Sequence, residues 1–307
     1  MIYDTIIVGG GVTAFAAAMY SGRFTMKTLV IGESLGGTII LTDVVENYPG
    51  FKKLTGLELA ENVRLHAMEY GIDVENDRVT GAQRKGKLFE VETREGKKFQ
   101  GKTVIIATGT EWKKLNVLGE DQYMNLGVHY CALCDGAFYK NKVIGVVGGG
   151  DSAIKEALLL ATYGSRVYIF ARGEKIRPEP VNEVRVKKNE KITVFTKVNV
   201  KEVKGNEKKM TGVLLDKEIN GSREFPLDAL FVEIGHNPLS ELAVQLGVKL
   251  NEKKEIPINR LAETNVAGVF AAGDVVDTKF KQAITGVAEG VTAAYSAYQY
   301  LQNEEVE

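Results

Sequence analysis

The sequence predicts an α/β fold of two similar units, the second inserted into the first, on three observations. An apolar, β-branched run ends in a cluster of glycines and passes into a helical pattern twice, over residues 3–23 and 142–163. A further apolar strand near the end of the chain stops at Gly273-Asp274 and leads into a long alanine-rich helix, as the closing piece of the first unit would. The 33 glycines among 307 residues fall at strand ends followed by helices, which is the punctuation of an α/β protein with sites at its strand ends.

Residues 3–8 read as the first strand, Gly9-Gly10-Gly11-Val12-Thr13-Ala14 as a tight turn and residues 14–23 as a helix. In such a unit Gly9 permits the turn, Gly11 lets backbone approach a pyrophosphate, and Ala14 allows close helix packing while the helix N-terminus faces the phosphates. A second strand, residues 27–31, leads to Glu33, placed where an acid holds a ribose hydroxyl. The pattern recurs as strand 142–147, Gly148-Gly149-Gly150-Asp151-Ser152-Ala153, helix 153–163 and strand 166–170. Two units with the same order at matching offsets imply two dinucleotides and two Rossmann-like nucleotide-binding domains of the three-layer ββα type. Residues 194–215 and 225–234 then read as strands joined by charged turns such as Gly205-Asn206 and Asn220-Gly221. Strand 266–272 and helix 281–301 return to the first unit, with Asp274 available to a flavin ribityl or phosphate-linked hydroxyl.

The chemistry is carried by Cys131-Ala132-Leu133-Cys134-Asp135-Gly136, which holds the only two cysteines and lies just before the second glycine turn. A C-x-x-C pair can close a small disulfide, and local helix dipoles can stabilise its thiolate, so one segment can accept two electrons and pass them on. That pattern points to a flavin-linked dithiol enzyme. Zinc wants about four Cys or His ligands, and beyond the cysteines the chain offers only His66, His129 and His236, so no metal site is expected. A net charge of −1 leaves no electrostatic footprint for nucleic acid or an anionic membrane. The longest weakly polar stretch, residues 6–20, is interrupted by glycine and too short to span a bilayer. Asp4 stands where a signal peptide needs a basic start. A cytoplasmic location follows as the expectation, since a lone dithiol in a reducing compartment is more often catalytic than structural.

Together these motifs resemble the low-molecular-weight thioredoxin reductases, FAD-dependent members of the pyridine nucleotide-disulfide oxidoreductases. The resemblance runs nearly the whole chain, through the first glycine turn, Glu46-Asn47-Tyr48-Pro49-Gly50, Ala107-Thr108-Gly109, the dithiol, the second turn, Ile234-Gly235-His236 and Gly273-Asp274 with Lys281-Gln282-Ala283. It implies FAD held by Gly9, Gly11, Ala14, Glu33, Thr38, Asn47, Ala107, Thr108, Gly109, Gly273, Asp274, Lys281, Gln282 and Ala283. For NADPH it implies Gly148, Gly150, Asp151, Ser152, Ala153, Arg172, Lys175, Arg177, Ile234 and Gly235. Cys134 is the sulfur expected to meet the flavin, Cys131 the one that attacks the partner, and Asp135 the proton-handling acid. The implied organisation is an FAD-binding domain of residues 1–113 and 241–307, and an NAD(P)H-binding domain of residues 114–240 that carries the dithiol and turns about its two crossings. The implied partner is a thioredoxin-like or glutaredoxin-like protein, and the implied assembly a homodimer.

The departures concentrate in the nicotinamide part. In the flavin part the sequence has Val12-Thr13-Ala14 for Pro-Ala-Gly, Thr38 for Gln and Lys281 for Arg; in the nicotinamide part it has Ala171-Arg172-Gly173 for His-Arg-Arg and Lys155 for an acid. Arg172 and Arg177 remain to hold a 2′-phosphate, while Glu174 leaves NADH open. A non-nicotinamide donor, a flavin dithiol oxidase and a flavin-containing redox sensor stand as alternatives. A peroxide-reductase flavoprotein would carry an extra N-terminal redox domain, for which a first strand at Tyr3 leaves no room.

Overall fold

The computed structural model describes residues 1–42 and 44–304. The chain divides into two compact units, one formed by Met1–Glu111 with Pro238–Glu307 and the other by Trp112–Asn237.

The first unit opens with β1 (Ile2–Val8), α1 (Val12–Arg23) and β2 (Thr28–Ile31). It continues with α2 (Gly56–Met68), β3 (Asp73–Glu75), β4 (Val79–Lys85), β5 (Leu88–Thr93) and β6 (Lys98–Ile106). Parallel pairing runs β3-β2-β1-β6, and β5 and β4 extend the sheet antiparallel from β6. Because side chains alternate across a strand, each central strand serves two cores. Ile6, Val8, Leu29, Ile31, Val104 and Ile106 face the layer containing Phe89 and Val91. Ile7, Val30 and Ile105 face α1 on the other side, with Ala14 and Phe15. α2 is started by a capping box, in which Thr55 accepts from the Glu58 N–H and Glu58 accepts in return from the Thr55 N–H.

The chain leaves through β7 (Thr110–Trp112) into the second unit, where β8 (Val128–His129) precedes α3 (Ala132–Asp135), a short 3-10 turn and then β9 (Val143–Val147). α4 (Asp151–Tyr163), β10 (Arg166–Ala171), α5 (Pro180–Lys187) and β11 (Ile192–Thr196) follow. β12 (Val200–Gly205), β13 (Met210–Ile219) and β14 (Ser222–Pro226) form an antiparallel meander, and β15 (Ala229–Val232) re-enters the parallel sheet, ordered β11-β10-β9-β15-β8. Alternation again divides the core: Ile144, Val146, Val167, Ile169 and Phe231 face α4, whereas Val147, Phe170, Leu230 and Val232 face the meander. This is a β-sheet with helices on one side and a second β layer on the other, as the glycine motifs imply.

The chain returns through β16 (His236–Pro238) to α6 (Glu241–Gln245), β17 (Val269–Ala271) and α7 (Ala283–Glu304). β17 joins the first sheet beside β6, in parallel. It begins later than the apolar run suggests, because the Thr264 hydroxyl accepts from the Val266 N–H and Gly268 takes φ 81°, so residues 264–268 form a turn. α7 packs on α1 through Gly290, where an added Cβ would lie 2.4 Å from the Thr13 carbonyl oxygen. The helix axes approach that closely only because the position has no side chain.

Candidate active site and cofactor seats

In each unit one parallel strand, β1 or β9, ends in a glycine turn of the same geometry. Gly9 has φ 135°, and a Cβ there would stand 2.1 Å from the Ala107 carbonyl oxygen at the end of β6. Gly148 has φ 153°, and its Cβ would stand 2.2 Å from the Glu233 carbonyl oxygen just beyond β15. Both turns therefore press backbone against the neighbouring strand, which only glycine tolerates. The helices that follow start at Gly11 and Gly150, and neither N-terminus is capped by a side chain. Their first N–H groups are left for a ligand oxygen. At Gly150 an added Cβ would meet nothing within 4 Å, so the space in front of α4 is open. Ala14 and Ala153, both fully buried, sit where close packing under the turn requires a small side chain.

In the first unit the structure brings together residues far apart in sequence. Asn47 donates through Nδ2 to Oε1 of Gln282 at 2.8 Å, across 235 positions. The Gly273 N–H donates to the Glu289 carboxylate at 2.9 Å, which fixes the turn that presents Asp274. The Thr108 hydroxyl donates to the Leu239 carbonyl at 2.6 Å, and the Leu239 N–H to the Gly109 carbonyl at 3.0 Å. Thr38 lies exposed in the 3-10 turn Gly37–Leu41, and Ala283 opens α7.

Two residues expected at the flavin have protein partners of their own. The Lys281 ammonium reaches the Glu255 carboxylate at 2.7 Å and the carbonyls of Asp274 and Val276 at 2.8 Å each. An ammonium has three N–H donors, so Lys281 is a strut under the Asp274 turn and has none left for a ligand. Glu33 stands just past the end of β2, where a ribose-binding acid is expected, and pairs with Arg94 at 2.6 Å and Arg78 at 3.9 Å.

In the second unit, loop 172–179 is held beside the glycine turn. The Arg177 N–H donates to the Gly149 carbonyl at 2.6 Å. Asp151 accepts from the Glu179 N–H at 2.7 Å and from the Asn182 amide at 2.9 Å, and Lys155 neutralises it at 2.7 Å. Asp151 is thus the anchor of the loop. Ser152 is exposed on the first turn of α4. Arg172, Lys175 and Arg177 are exposed around this turn, whereas Glu174 is occupied by Lys197 at 2.7 Å. Exposed Ile234 and Gly235 follow β15, and a Cβ on Gly235 would also meet nothing within 4 Å.

The dithiol belongs to this unit. Cys131 and Cys134 form a disulfide across α3, with Cα atoms 5.4 Å apart. The Cys134 N–H donates to the Cys131 sulfur at 3.1 Å. Cys131 is buried and Cys134 exposed. Two neighbours escaped the sequence reading. Glu156, on α4, accepts from the Ala132 N–H at 2.5 Å and so ties the dithiol helix to the helix whose N-terminus faces the open space. Its position was readable, because residues 153, 156, 157 and 160 share one face of α4 and the other three are buried. Burial pushes the Glu156 carboxyl up to about 7, against the Ala132 hydrogen bond. Glu233 is pushed up as well, by burial and by the charge of Glu156. The second neighbour is His129, 3.0 Å from Asp135.

The sequence pattern of the pyridine nucleotide-disulphide oxidoreductases matches residues 3–290. The chain belongs to that family. It is 38% identical to a thioredoxin reductase of Bacillus subtilis over 303 residues, covering 98% of this chain and 95% of the relative. A solved thioredoxin reductase from Lactococcus lactis superposes with a TM-score of 0.94 at 36% identity, covering 98% of this chain and 99% of the other. An alkyl hydroperoxide reductase polypeptide of Staphylococcus aureus is 36% identical over 97% of this chain, but that alignment covers only 59% of the relative. Among the described residues no cluster of His, Cys, Asp and Glu is arranged to hold a metal ion, and no helix is long and apolar enough to cross a membrane.

Glu156 gives this oxidoreductase a pH-dependent stability. Its folded-state pKa of about 7 lies above that of an unfolded glutamate, so the folded state binds more protons in between, and stability falls as pH rises from about 4.5 to about 7. E156Q mimics the protonated form. It is expected to raise thermal stability at pH 8 by an amount equivalent to about 1–3 kcal/mol and to leave it unchanged near pH 4.5. Melting curves at the two pH values check this.

Proposed function

We propose that the chain is a thioredoxin reductase that takes electrons from NADPH and passes them by way of FAD to the Cys131–Cys134 disulfide and on to a thioredoxin-like or glutaredoxin-like protein disulfide, working as a cytoplasmic homodimer. The observation that carries this reading is the joining of two functions in one unit: a disulfide on α3, and beside it a glycine turn whose helix N-terminus is uncapped and open.

The residues present fit both nucleotides. Gly9, Gly11 and Ala14 form one backbone seat, with Asn47, Ala107, Thr108, Gly109, Gly273, Asp274, Gln282 and Ala283 as its companions for FAD. Gly148, Gly150, Ser152, Ala153, Ile234 and Gly235 form the other, with Arg172, Lys175 and Arg177 for a 2′-phosphate. FAD when bound supplies a two-electron carrier between a nicotinamide and a disulfide. Arg172, Lys175 and Arg177 are exposed around the turn while Glu174 pairs with Lys197 on the surface, which supports NADPH.

The dithiol's own geometry supports the division of labour between its sulfurs. Once reduced, Cys131 carries its negative charge against the Cys134 N–H, a charge-assisted hydrogen bond that favours the thiolate. That thiolate attacks one sulfur of the partner disulfide and expels the other. Cys134 then attacks the Cys131 sulfur of the mixed disulfide, which releases the partner's second thiol and restores the internal bond. Asp135, adjacent to Cys134, takes the proton that Cys134 gives up. Since Cys131 is buried in this structure, the first step requires the start of α3 to be uncovered.

Two results test the proposal. C131S should still allow NADPH to bleach the flavin anaerobically, while turnover on a thioredoxin-like protein falls by at least about a thousandfold. Retained turnover would reverse the assignment. R172A and R177A should each weaken NADPH about ten- to a hundredfold and leave NADH nearly unchanged. Bleaching titrations with both nucleotides measure this, and equal losses for the two would show that the arginines do not read the 2′-phosphate.

A further inference from the structure

His129 lies between the dithiol segment and the sheet. β8 is only two residues long, and its parallel pairing with β15 sets His129 opposite Phe231. The imidazole is 5% exposed, stacks on the Phe231 ring at 5.3 Å and meets Tyr139 edge-on at 5.3 Å. Its Nε2 is 2.8 Å from the Tyr139 hydroxyl, and its Nδ1 is 3.0 Å from Oδ2 of Asp135. The second contact has hydrogen-bond length but not hydrogen-bond alignment, so Nδ1 has no well-directed acceptor in the disulfide form. Leaving a buried ring nitrogen in that state costs free energy. A small rotation of the Asp135 carboxylate would complete the bond.

We infer that His129 is a positioning residue for dithiol–disulfide exchange: it holds the Asp135 carboxylate next to Cys134, in a proton-sharing chain from Tyr139 through His129 to Asp135. The inference rests on the proposed dithiol chemistry and deepens it. Burial pushes the imidazole below its ordinary value, against the pull of Asp135, so the ring is neutral at neutral pH. A neutral ring has one N–H and one bare nitrogen. An ionised carboxylate only accepts, so the nitrogen 3.0 Å from Asp135, Nδ1, is the one assigned the proton, and Nε2 then accepts from the Tyr139 hydroxyl. When the Cys134 thiol attacks the mixed disulfide, the Cys131–partner bond breaks, the Cys131–Cys134 bond forms, the partner sulfur leaves as a thiolate, and the Cys134 proton passes to Asp135. The Nδ1–H stabilises the ionised carboxylate that must be present for that transfer.

The charged and titratable groups around the ring come from several elements. Asp135 lies on α3 and Tyr139 on the following turn. Asp228 acts on Tyr139 from just before β15 and has Lys142 at 3.9 Å. Glu156 approaches from α4 at the Ala132 N–H. Tyr130, the next residue on the chain, bonds instead to Glu120 at 2.8 Å.

The test uses the full-length holoenzyme, reduced with dithiothreitol and freed of it, reacting with the small disulfide dithiobis(nitrobenzoate) from about pH 5.5 to about pH 9, so that neither nicotinamide nor protein partner is involved. H129L withdraws the N–H, and the acid limb of the rate profile should rise by about one pH unit, slowing exchange near pH 6 about tenfold. H129N places an amide N–H where Nδ1 stands and should restore the rate to within about threefold. Y139F should move the limb in the same direction by less, and it keeps the test alive if H129L does not fold. A limb unmoved in H129L and Y139F, or moved equally in H129L and H129N, would overturn the inference. Turnover on a thioredoxin-like protein is measured separately. If wild-type enzyme fails there while the limb shifts as stated, the functional reading falls and the role of His129 stands.

Discussion

The structure depends on two places where backbone presses on backbone at the end of a parallel strand. At Gly9 and Gly148 a single methyl group would overlap a carbonyl oxygen of the next strand. This contact turns the chain sharply from strand into helix and leaves the helix N-termini at Gly11 and Gly150 without side-chain caps. Several N–H groups and the positive end of the helix dipole then face outward together, where an anionic pyrophosphate can complete them. The alternating core residues of β1, β2 and β6 in one sheet, and of β9, β10 and β15 in the other, hold the strand ends level, so that each turn opens at the end of its own sheet.

The second unit adds the dithiol to that plan. α3 is too short to be stable alone. It is held by the Glu156 carboxylate at its first N–H and by the Asp135–His129 contact at its last residue. Both supports are ionisable and buried or partly buried, an arrangement that costs stability and is typical of sites where protons move. The same unit positions the glycine turn, through Asp151 and the backbone of Arg177. The elements that hold the second glycine turn are thus packed against those that hold the sulfurs.

Much of this was legible in the sequence, because the controlling signals are local. A β-branched run, three glycines and a small-residue helix specify strand, turn and helix within about twenty residues. Long-range pairing was legible only through the family resemblance, which named Asn47 and Gln282 for one cofactor; the structure joins them by a hydrogen bond. What escaped had a weak local signal or none. His129 entered only the count of histidines that argued against a metal site, since a two-residue strand has no periodicity and its surroundings are made by β15, about a hundred positions later. Lys281 read as a flavin contact because its sequence neighbours pointed there, whereas Glu255, on a loop with no motif, claims its charge. Glu156 was within reach of a helical wheel, but a carboxylate in a helix reads first as solvated surface.

The central claim is that the open helix N-terminus at Gly150 is a nucleotide seat distinct from the one at Gly11. Gly150 has φ −89° and ψ −180°, which any residue adopts, and a Cβ added there would meet no neighbouring atom within 4 Å. Gly150→Val should therefore fold and melt like the wild type and purify yellow with FAD, while NADPH at concentrations that fully bleach the wild type fails to bleach its flavin. Dithionite should still bleach it. Unchanged bleaching by NADPH in a well-folded G150V protein would contradict the account, because the electrons would then enter without passing the second glycine turn.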